Sequence, residues 1–265
     1  MRLQEKVVLV SAATRGIGLA CVKACSREGA RVYLAARNLS RANEIARQMN
    51  REGAAVQTVF CDASIPDTFS SMVEDVVRDA GRIDVLINNF GTSDPRKDLD
   101  FAHTDPQVFL DTVTLNLRSV FCASQTAARY MAKQGGGSIV NISSVGGQVP
   151  DVSQIGYGTG KAAINYLTRL IAVQEAKNGI RCNAVLPGMT ATDSVKEKLS
   201  DHFRQLFVRH IPLGRMGFPE EMAAAAVYFA SEESAYTTGQ TLTVSGGFGM
   251  ATPVYAELSN AEGRR

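Results

Sequence analysis

Tyr157 and Lys161, four residues apart, are the side chains in this sequence best suited to moving a proton. On a helix this spacing puts both on one face and within reach of each other. An unperturbed phenol has a pKa of about 10, too high for a base at neutral pH. A neighbouring ammonium favours the phenolate and lowers that pKa. The pair therefore predicts a phenol that takes a proton from an alcohol, or returns one to a carbonyl.

A third polar group, Ser144, precedes Tyr157 by thirteen residues and follows a short apolar run. A hydroxyl at the tip of a strand can bind a substrate oxygen and stabilise the charge that develops on it. Tyr-x-x-x-Lys is common and usually structural when it stands alone. The catalytic interpretation therefore depends on a cofactor site upstream.

Such a site is indicated by the turn Ser11 to Gly18, with the sequence SAATRGIG. A glycine-rich turn between a strand and a helix lets the backbone approach a pyrophosphate, which the helix N-terminus then stabilises. Glycines also punctuate ordinary turns, so the position directly after the first strand is what makes this one informative. We predict cofactor contacts from Ala13, Thr14, Arg15 and Ile17.

The tip of the second strand, Ala35-Ala36-Arg37-Asn38, distinguishes between the two nicotinamide cofactors. A carboxylate there would bind the adenosine 2′-hydroxyl and repel a 2′-phosphate. This tip has no acid; Arg37 and Arg15 can instead form a charge-assisted clamp on the phosphate, with Thr14 as a further donor. The alternative is that both arginines are solvated surface residues. We predict NADP(H), with Asn38 also in contact.

Further cofactor contacts are predicted where the third and fourth strands end. The carboxylate of Asp62, followed by Ala63, can accept a hydrogen bond from an adenine amino group. Asn89 and Gly91 follow the fourth strand, at the edge where open α/β sheets bind ligands. The asparagine also suits a hydrogen-bonding role at the end of the sheet, and the two roles are compatible.

The scaffold that positions these residues is an alternation of strands and helices. Apolar runs predict strands at 7–10, 31–36, 56–60, 83–87, 138–142, 180–186 and 241–244, and helical spacing predicts helices at 16–28, 40–51, 66–80, 106–133, 155–176 and 219–230. Parallel strands need helical crossovers, so the prediction is an α/β, doubly wound, Rossmann-type sheet of about seven parallel strands. We expect one domain over 1–258, a flexible tail at 259–265 and a polar, mobile segment from Thr190 to His210.

Composition excludes several other classes of protein. The 28 basic and 26 acidic residues give a net charge of +2 and leave no basic footprint for nucleic acid or an anionic membrane. The five cysteines form no CxxC or zinc-ligand spacing, so we predict no metal and reduced thiols in the cytoplasm. No apolar run reaches the length of a membrane span.

Along nearly its whole length the chain resembles the short-chain dehydrogenase/reductase family. The resemblance is carried by TRGIG, Asp62, NNxG, Asn116, Ser144, Tyr157, Lys161 and Pro187-Gly188. It implies that Asn116, Ser144, Tyr157 and Lys161 form a catalytic tetrad, in which the asparagine helps to hold a proton-relaying water. It also implies that Thr190 and Thr192 contact the nicotinamide carboxamide and that the protein is a homotetramer.

Three residues depart from the family pattern without removing a reacting group. Ala12 stands where the family usually has the first glycine of its turn, so the loop must tolerate a Cβ atom there. Phe90 replaces the alanine of NNAG and is expected to put a ring near the nicotinamide or the substrate. Gly160 replaces the common serine before Lys161.

The stretches NNFG, QGGGSIVNISSVGG, GIRCNAVLPG and GGFGMATPVY resemble one branch of that family, the bacterial bile-acid 7α-hydroxysteroid dehydrogenases of clostridial type. This resemblance implies reversible oxidation of a bile-acid hydroxyl to the oxo form with NADP⁺. A steroid plate needs a broad apolar pocket. Substrate contacts are predicted from Ser144, Tyr157, Phe90 and Met189, and pocket walls from Val195–Phe207 and Phe248–Tyr255, which equally suit a core or a subunit interface. Candidate partners for the bile-acid carboxylate are Arg96, Lys97, Lys196 and Lys198.

Other functions stay open at this point. A 12α- or 3α-hydroxysteroid dehydrogenase could use the same four residues, because only the orientation of the steroid in the pocket would change. A 3-oxoacyl thioester reductase shares the architecture but needs an entry for a phosphopantetheine arm. A non-enzymatic NADP(H)-sensing regulator is disfavoured, because such proteins typically lack the tyrosine or the lysine.

Overall fold

The computed structural model describes residues 1–193, 195, 200–251 and 255–259. Its sheet is parallel throughout, in the order β3-β2-β1-β4-β5-β6-β7. The strands are β1 Val7–Val10, β2 Arg31–Ala36, β3 Ala55–Phe60, β4 Val85–Asn88, β5 Gly137–Ile142, β6 Ile180–Pro187 and β7 Thr241–Val244. The strand order reverses between β1 and β4, and a ligand crevice opens at such a switch point. The predicted doubly wound sheet is confirmed.

Helices cover both faces of the sheet. In the described part of the chain they are α1 Gly16–Arg27, α2 Leu39–Arg51, α3 Thr68–Ala80, α4 Pro106–Lys133, α5 Ile155–Glu175, α6 Asp201–Val208, α7 Pro219–Ala230 and α8 Tyr255–Ser259. Helices α1, α2 and α7 bury their apolar residues against one face of the sheet. Helices α3, α4 and α5 cover the other face. Among the helices described, none combines the length and apolarity needed to cross a bilayer.

The ends of the helices follow local capping chemistry. Helix α4 begins at Pro106, and the side chain of Asp105 accepts a hydrogen bond from the amide of Gln107 at 2.8 Å. Helix α6 lies within the polar segment from Thr190 to His210, for which the sequence analysis predicts no helix. The cap is Ser200, which accepts from the amide of Phe203 at 3.2 Å.

A chain of buried hydrogen bonds joins the elements that carry the site. The amide of Asn88, at the end of β4, donates to Ser124 of α4 and to Asn141 of β5, both at 2.9 Å. Asn141 in turn donates to Thr168 of α5 at 2.9 Å. Because buried polar groups are costly unless they are paired, these hydrogen bonds fix β4 and β5 relative to α4 and α5.

Candidate active site

Lys161 lies at the centre of the candidate site and is almost fully buried. Its Nζ atom donates to the carbonyl oxygen of Ile142, at the end of β5, at 2.9 Å. A Cβ atom at position 91 would lie 2.6 Å from Nζ, so glycine is the residue that leaves room for this amine. Burial lowers the pKa of Lys161 to about 8, because the charged form loses hydration.

Tyr157 precedes Lys161 by one helical turn, as the spacing predicts. The Nζ atom of Lys161 lies 5.5 Å from the centre of the Tyr157 ring. Burial raises the pKa of the Tyr157 phenol, and a hydrogen bond with Ser144 opposes that rise. The sequence predicts a pKa lowered by the neighbouring ammonium; in this structure the pKa is raised instead, because burial disfavours the charged phenolate.

Ser144 follows β5, and its hydroxyl is directed toward the Tyr157 phenol. Its Oγ atom accepts from the backbone amide of Gly146 at 3.1 Å, which fixes the rotamer at the start of a short 3₁₀ turn, Val145–Gly147. The same side chain is the hydrogen-bond partner of the Tyr157 phenol. The structure thus brings together Ser144, Tyr157 and Lys161.

Asn116, on α4, holds the backbone that follows β4. Its Oδ1 atom accepts from the amide of Thr92 at 3.0 Å, and its Nδ2 atom donates to the carbonyl oxygens of Thr92 at 2.7 Å and Thr112 at 2.9 Å. The Oδ1 atom lies 3.3 Å from the position a Cβ atom would take at Gly91, beside the amine of Lys161. The water-holding role that the family resemblance implies for Asn116 stays a prediction.

The glycine turn between β1 and α1 is closely packed. A Cβ atom at position 18 would lie 2.5 Å from the Nδ2 atom of Asn89, so Gly18 allows α1 to approach this edge of the sheet. Asn89 Nδ2 donates to the carbonyl oxygens of Ser11 at 3.2 Å and Ala12 at 3.1 Å, the hydrogen-bonding role expected at the end of a sheet. Ala12 has φ of 51°, a left-handed conformation that costs an alanine about 1 kcal/mol.

Residues 13–17 of this turn are presented in different ways. Ala13 is buried and donates its amide to the carbonyl oxygen of Ala35 in β2 at 3.2 Å, whereas Thr14 and Ile17 are partly exposed. Arg15 is the exposed N-cap residue of α1, and its side chain makes no capping hydrogen bond in the part of the chain that is described. The amides of the first turn are thus left for another acceptor.

The tips of β2 and β3 carry exposed polar groups. Asn38 caps α2 by accepting from the amide of Arg41 at 3.0 Å. The guanidinium of Arg37 is close enough to contribute to a lowered pKa of the Asp62 carboxyl, after two larger contributions from Ser64. Asp62 Oδ1 accepts from the amide and the hydroxyl of Ser64, each at 2.9 Å, and Ala63 lies between them in sequence.

The segment after β6 closes against the glycine turn. A Cβ atom at Gly16 would lie 3.3 Å from the methyl carbon of Thr192. Thr190 is buried, and its hydroxyl donates to the carbonyl oxygen of Gly188 at 3.0 Å. Met189 is partly buried and accepts at its backbone oxygen from Gly217 at 3.0 Å. The segments that follow β1, β2, β3, β4 and β6 and carry the predicted cofactor residues therefore lie at one edge of the sheet.

The predicted substrate residues are more dispersed. The ring of Phe90 packs on Phe69 of α3, with centroids 5.9 Å apart, so it points toward the helix that follows Asp62. Phe203 and Phe207 of α6 and Phe248 form an aromatic row, with centroids 5.5 and 5.1 Å apart. Lys196 and Lys198 lie outside the described residues, and Arg96 is paired with Asp94 at 2.9 Å. Lys97 is exposed.

Asp98 is a part of the site that the sequence analysis missed. Both of its carboxylate oxygens bind the first backbone amides of α5, the helix that carries Tyr157 and Lys161. Helix caps usually lie directly before the helix, here at positions 151–154. Ser153 is a residue type that commonly caps helices, but it does not occupy the N-cap position of α5. The true acceptor is more than fifty residues upstream, and a single sequence carries no signal that pairs the two.

The crevice fits a nicotinamide dinucleotide. The uncapped amides at the start of α1 suit a pyrophosphate. Ser144, Tyr157 and Lys161 stand at the opposite end. Across the described residues, no cluster of three or more His, Cys, Asp or Glu side chains is arranged to hold a metal ion.

Comparison with known proteins gives closely related matches over most of the chain. The family model described as enoyl-(acyl carrier protein) reductase matches residues 11–249. A 7α-hydroxysteroid dehydrogenase of Clostridium sardiniense is 45% identical, covering 97% of this chain and 98% of that protein. The enzyme of the same description from Paraclostridium sordellii is 46% identical, covering 97% of each. A solved 7α-hydroxysteroid dehydrogenase complexed with NADH and 7-oxo glycochenodeoxycholic acid has a TM-score of 0.88 and 30% identity, covering 93% of this chain and 95% of that one.

Proposed function

This chain belongs to the short-chain dehydrogenase/reductase family, and we propose that it reversibly oxidises the 7α-hydroxyl of a bile acid to the oxo form with NADP(H). The observation that carries the reaction class is the convergence of Ser144, Tyr157 and Lys161 at the edge of the sheet where the uncapped amides of α1 suit a pyrophosphate. The substrate class rests on the near-full-length similarity to two 7α-hydroxysteroid dehydrogenases.

Each of these side chains has a defined part in the proposed reaction. A nicotinamide ring, when bound, accepts the hydride from the carbon that bears the hydroxyl. The Tyr157 phenolate takes the hydroxyl proton, and in the reverse direction the phenol returns it to the carbonyl oxygen. Ser144 donates a hydrogen bond to that oxygen as its charge changes. Lys161 in its charged form stabilises the phenolate, and Asn116 holds the backbone of Thr92, next to the Gly91 against which the amine lies.

We assign NADP(H) rather than NAD(H) on the charge at the tip of β2. Arg37 and Arg15 are exposed cations, and the described tip of β2 carries no acid that would repel a 2′-phosphate. Asn38 and Thr14 add polar groups beside them. Asp62 is held by Ser64 in an orientation suited to an adenine amino group. Because one similar structure contains NADH, the cofactor preference needs its own measurement.

The aromatic row Phe203, Phe207 and Phe248 supports a large apolar substrate. Two phenylalanines of α6, Phe203 exposed and Phe207 partly exposed, and a third from the segment after β7 form a row of apolar rings of the kind that a steroid plate can bury. Met189 stands between this row and the glycine turn in sequence. These four side chains are our candidates for substrate contacts, with Ser144 and Tyr157 at the reacting hydroxyl.

A panel of bile acids tests the assignment. The purified protein is incubated with NADP⁺ or NAD⁺ and with cholanoic acids that bear one hydroxyl, at position 3α, 7α or 12α, and reduction is followed at 340 nm. We expect turnover of the 7α compound, with a higher kcat/KM for NADP⁺. Turnover of the 3α or 12α compound alone reassigns the regiochemistry. Activity on acetoacetyl thioesters and on none of the acids identifies a 3-oxoacyl reductase, and NADPH binding without any turnover identifies a sensor.

We also propose a cytoplasmic homotetramer. All five cysteines are free thiols, as expected in a reducing compartment. Large apolar side chains are exposed on α4 and α5: Leu110, Phe121, Tyr166, Leu170 and Val173. Surfaces of this kind mark subunit contacts. Light scattering should give the mass of four chains; the mass of one chain would refute the assembly.

A further inference from the structure

A completely buried carboxylate, Asp98, binds the N-terminus of α5. Its Oδ1 atom accepts from the amide of Gly156 at 2.8 Å, and its Oδ2 atom accepts from the amide of Tyr157 at 2.9 Å. The Ser93 hydroxyl donates to Oδ2 at 2.9 Å. The carboxylate thus binds the backbone of the tyrosine to which we assign proton transfer.

The start of α5 depends on this external carboxylate. The N-cap position is Gln154, which has φ of 59° and makes no side-chain capping bond. The amide of Ile155 donates to the carbonyl oxygen of Leu99 at 3.1 Å. Three successive amides of the first turn are therefore satisfied by Asp98 and its neighbour, and none of them by the residues that precede the helix.

Gly156 gives the carboxylate access to these amides. A Cβ atom there would lie 3.1 Å from Asp98 Oδ1 and 3.0 Å from the Cβ atom of Thr112 on α4. The loop after β4 thus makes two connections. At Thr92 it is bound by the side chain of Asn116, and at Asp98 it binds the backbone of Tyr157.

On energetic grounds, this buried carboxylate contributes more to the position of the first turn of α5 than to the stability of the fold. A buried carboxylate loses its hydration, and hydrogen bonds with the positive end of a helix dipole offset that loss without giving a large net gain in stability. These hydrogen bonds do fix the distance and direction of the first turn of α5 relative to Asp98. Proton transfer requires the phenol within about 3 Å of the substrate oxygen, and displacements of about 1 Å can cost roughly a hundredfold in rate.

We propose that Asp98 is a positioning residue for proton transfer: it fixes the first turn of α5 so that the Tyr157 phenol stays beside Ser144. This inference rests on the proposed function of the site. Asp98 itself touches backbone amides and the Ser93 hydroxyl, and acts on the reaction through Tyr157.

The test compares Asp98→Asn with Asp105→Asn. Both substitutions turn a helix-capping carboxylate into an amide, but Asp105 caps α4, whose first turn carries no reacting group. Active sites are counted by NADPH binding, and kcat per site and KM are measured with a 7α-hydroxy bile acid. For Asp98→Asn we expect one NADPH site per chain, KM within about twofold of wild type and kcat per site lower by about 10–100-fold. For Asp105→Asn we expect kcat within about twofold.

A merely structural role gives a different result: fewer NADPH sites per chain and an unchanged kcat per remaining site, which would overturn the proposal. Should Asp98→Asn fail to fold, Ser93→Ala removes one hydrogen bond and leaves the carboxylate; we expect about a threefold lower kcat at constant KM, and an unchanged kcat would count against the proposal. Hydrogen exchange of the first turn of α5 tests the cap independently of catalysis. If wild type turns over no bile acid, the proposed function fails, while accelerated exchange in Asp98→Asn and not in Asp105→Asn still supports the positioning role and unchanged exchange refutes it.

Discussion

The two ends of the crevice are built in opposite ways. At the reacting end, Lys161 and Asn116 are buried, and each polar group is held by a backbone atom of a neighbouring element. At the adenosine end, Arg15 and Arg37 are exposed on turns. The side chains proposed to react are thus surrounded by hydrogen-bonded, buried groups. The arginines to which we assign the cofactor preference are on the surface.

This contrast shows where the protein can change without losing its reaction. Desolvation shifts pKa values at the buried end, as it does for Lys161 and Tyr157, so a substitution there alters both proton affinity and packing. An exposed arginine is screened by water and adds only a modest interaction. We therefore expect effects to decrease in size from the reacting end to the glycine turn.

The largest effect is expected from Tyr157→Phe. The substitution removes one hydroxyl and keeps the ring, so proton transfer is lost while the site keeps its shape. We expect kcat to fall by about 10³-fold, within the range for general acid–base groups, with NADPH affinity changed less than about threefold. The measurement is steady-state turnover of a 7α-hydroxy bile acid with a fluorescence titration of NADPH.

Tyr166→Phe is the matched control, since this tyrosine is exposed on the same helix. It should leave kcat within about twofold. Retained turnover in Tyr157→Phe would remove the basis for treating the buried end as the reacting end.

The next effect is on stability, at Lys161. Its pKa of about 8 in the folded protein lies below the value of about 10.4 in an unfolded chain. The folded state therefore pays for burying the charge at pH 8 and below, and wild type gains stability as pH rises from about 8 to 10.4. The free energy of unfolding of Lys161→Met, minus that of wild type, should fall by up to about 3 kcal/mol between pH 7 and 10.

Denaturant unfolding at several pH values measures this difference. The lost hydrogen bond to Ile142 lowers the stability of the variant at every pH and leaves the trend intact. Lys177→Met, at an exposed position just after α5, controls for the loss of one positive charge. A difference that stays constant with pH would show that the amine of Lys161 carries no burial cost.

Much of the candidate site could be predicted from the sequence. Two of its features could not, the direction of the Tyr157 pKa and the role of Asp98, because both depend on contacts between residues that are distant along the chain. The spacing of Tyr157 and Lys161 and the start of α4 at Pro106 are local signals, and both predictions are confirmed. The direction of the Tyr157 pKa depends on burial by distant elements. The role of Asp98 depends on its contacts with Gly156 and Tyr157, which are 58 and 59 residues away along the chain.

Helix α6 was missed for another reason. The segment from Thr190 to His210 reads as polar, although Ser200 has the capping chemistry of a helix start. Its apolar residues, Phe203, Leu206 and Phe207, have helical spacing but remain partly or largely exposed. Without a buried face to pack, helical spacing is a weak signal.

A smaller effect is expected at the adenosine end from Arg37→Asp. The substitution removes a cation from the proposed 2′-phosphate site and adds a carboxylate that can accept from a 2′-hydroxyl. We expect the ratio of kcat/KM for NADP⁺ to that for NAD⁺ to fall by about 10–30-fold, with kcat itself nearly unchanged.

Arg47→Asp controls for the same change of charge on the exposed face of α2. The ratio should change less than about twofold in that variant. A ratio unaffected by Arg37→Asp would mean that Arg37 is a solvated surface residue and that the preference is set elsewhere in the crevice.

The smallest effect is expected at Ala12, in the glycine turn. Its φ of 51° is strained for a residue with a Cβ atom. Ala12→Gly relieves that strain but also gives the unfolded chain more freedom, so the net gain should be about 1 kcal/mol or less. A thermal scan would show Tm higher by about 2 °C.

Ala102→Gly makes the comparison specific, because this exposed loop alanine is not among the residues of positive φ. There glycine adds unfolded-state freedom and relieves no strain, so the free energy of unfolding should fall by roughly 0.5–1 kcal/mol. The two substitutions are chemically identical, and their effects should have opposite signs. A loss of stability in both would show that the turn holds Ala12 without strain, and the glycine expected at this position would then have to serve the approach of the ligand.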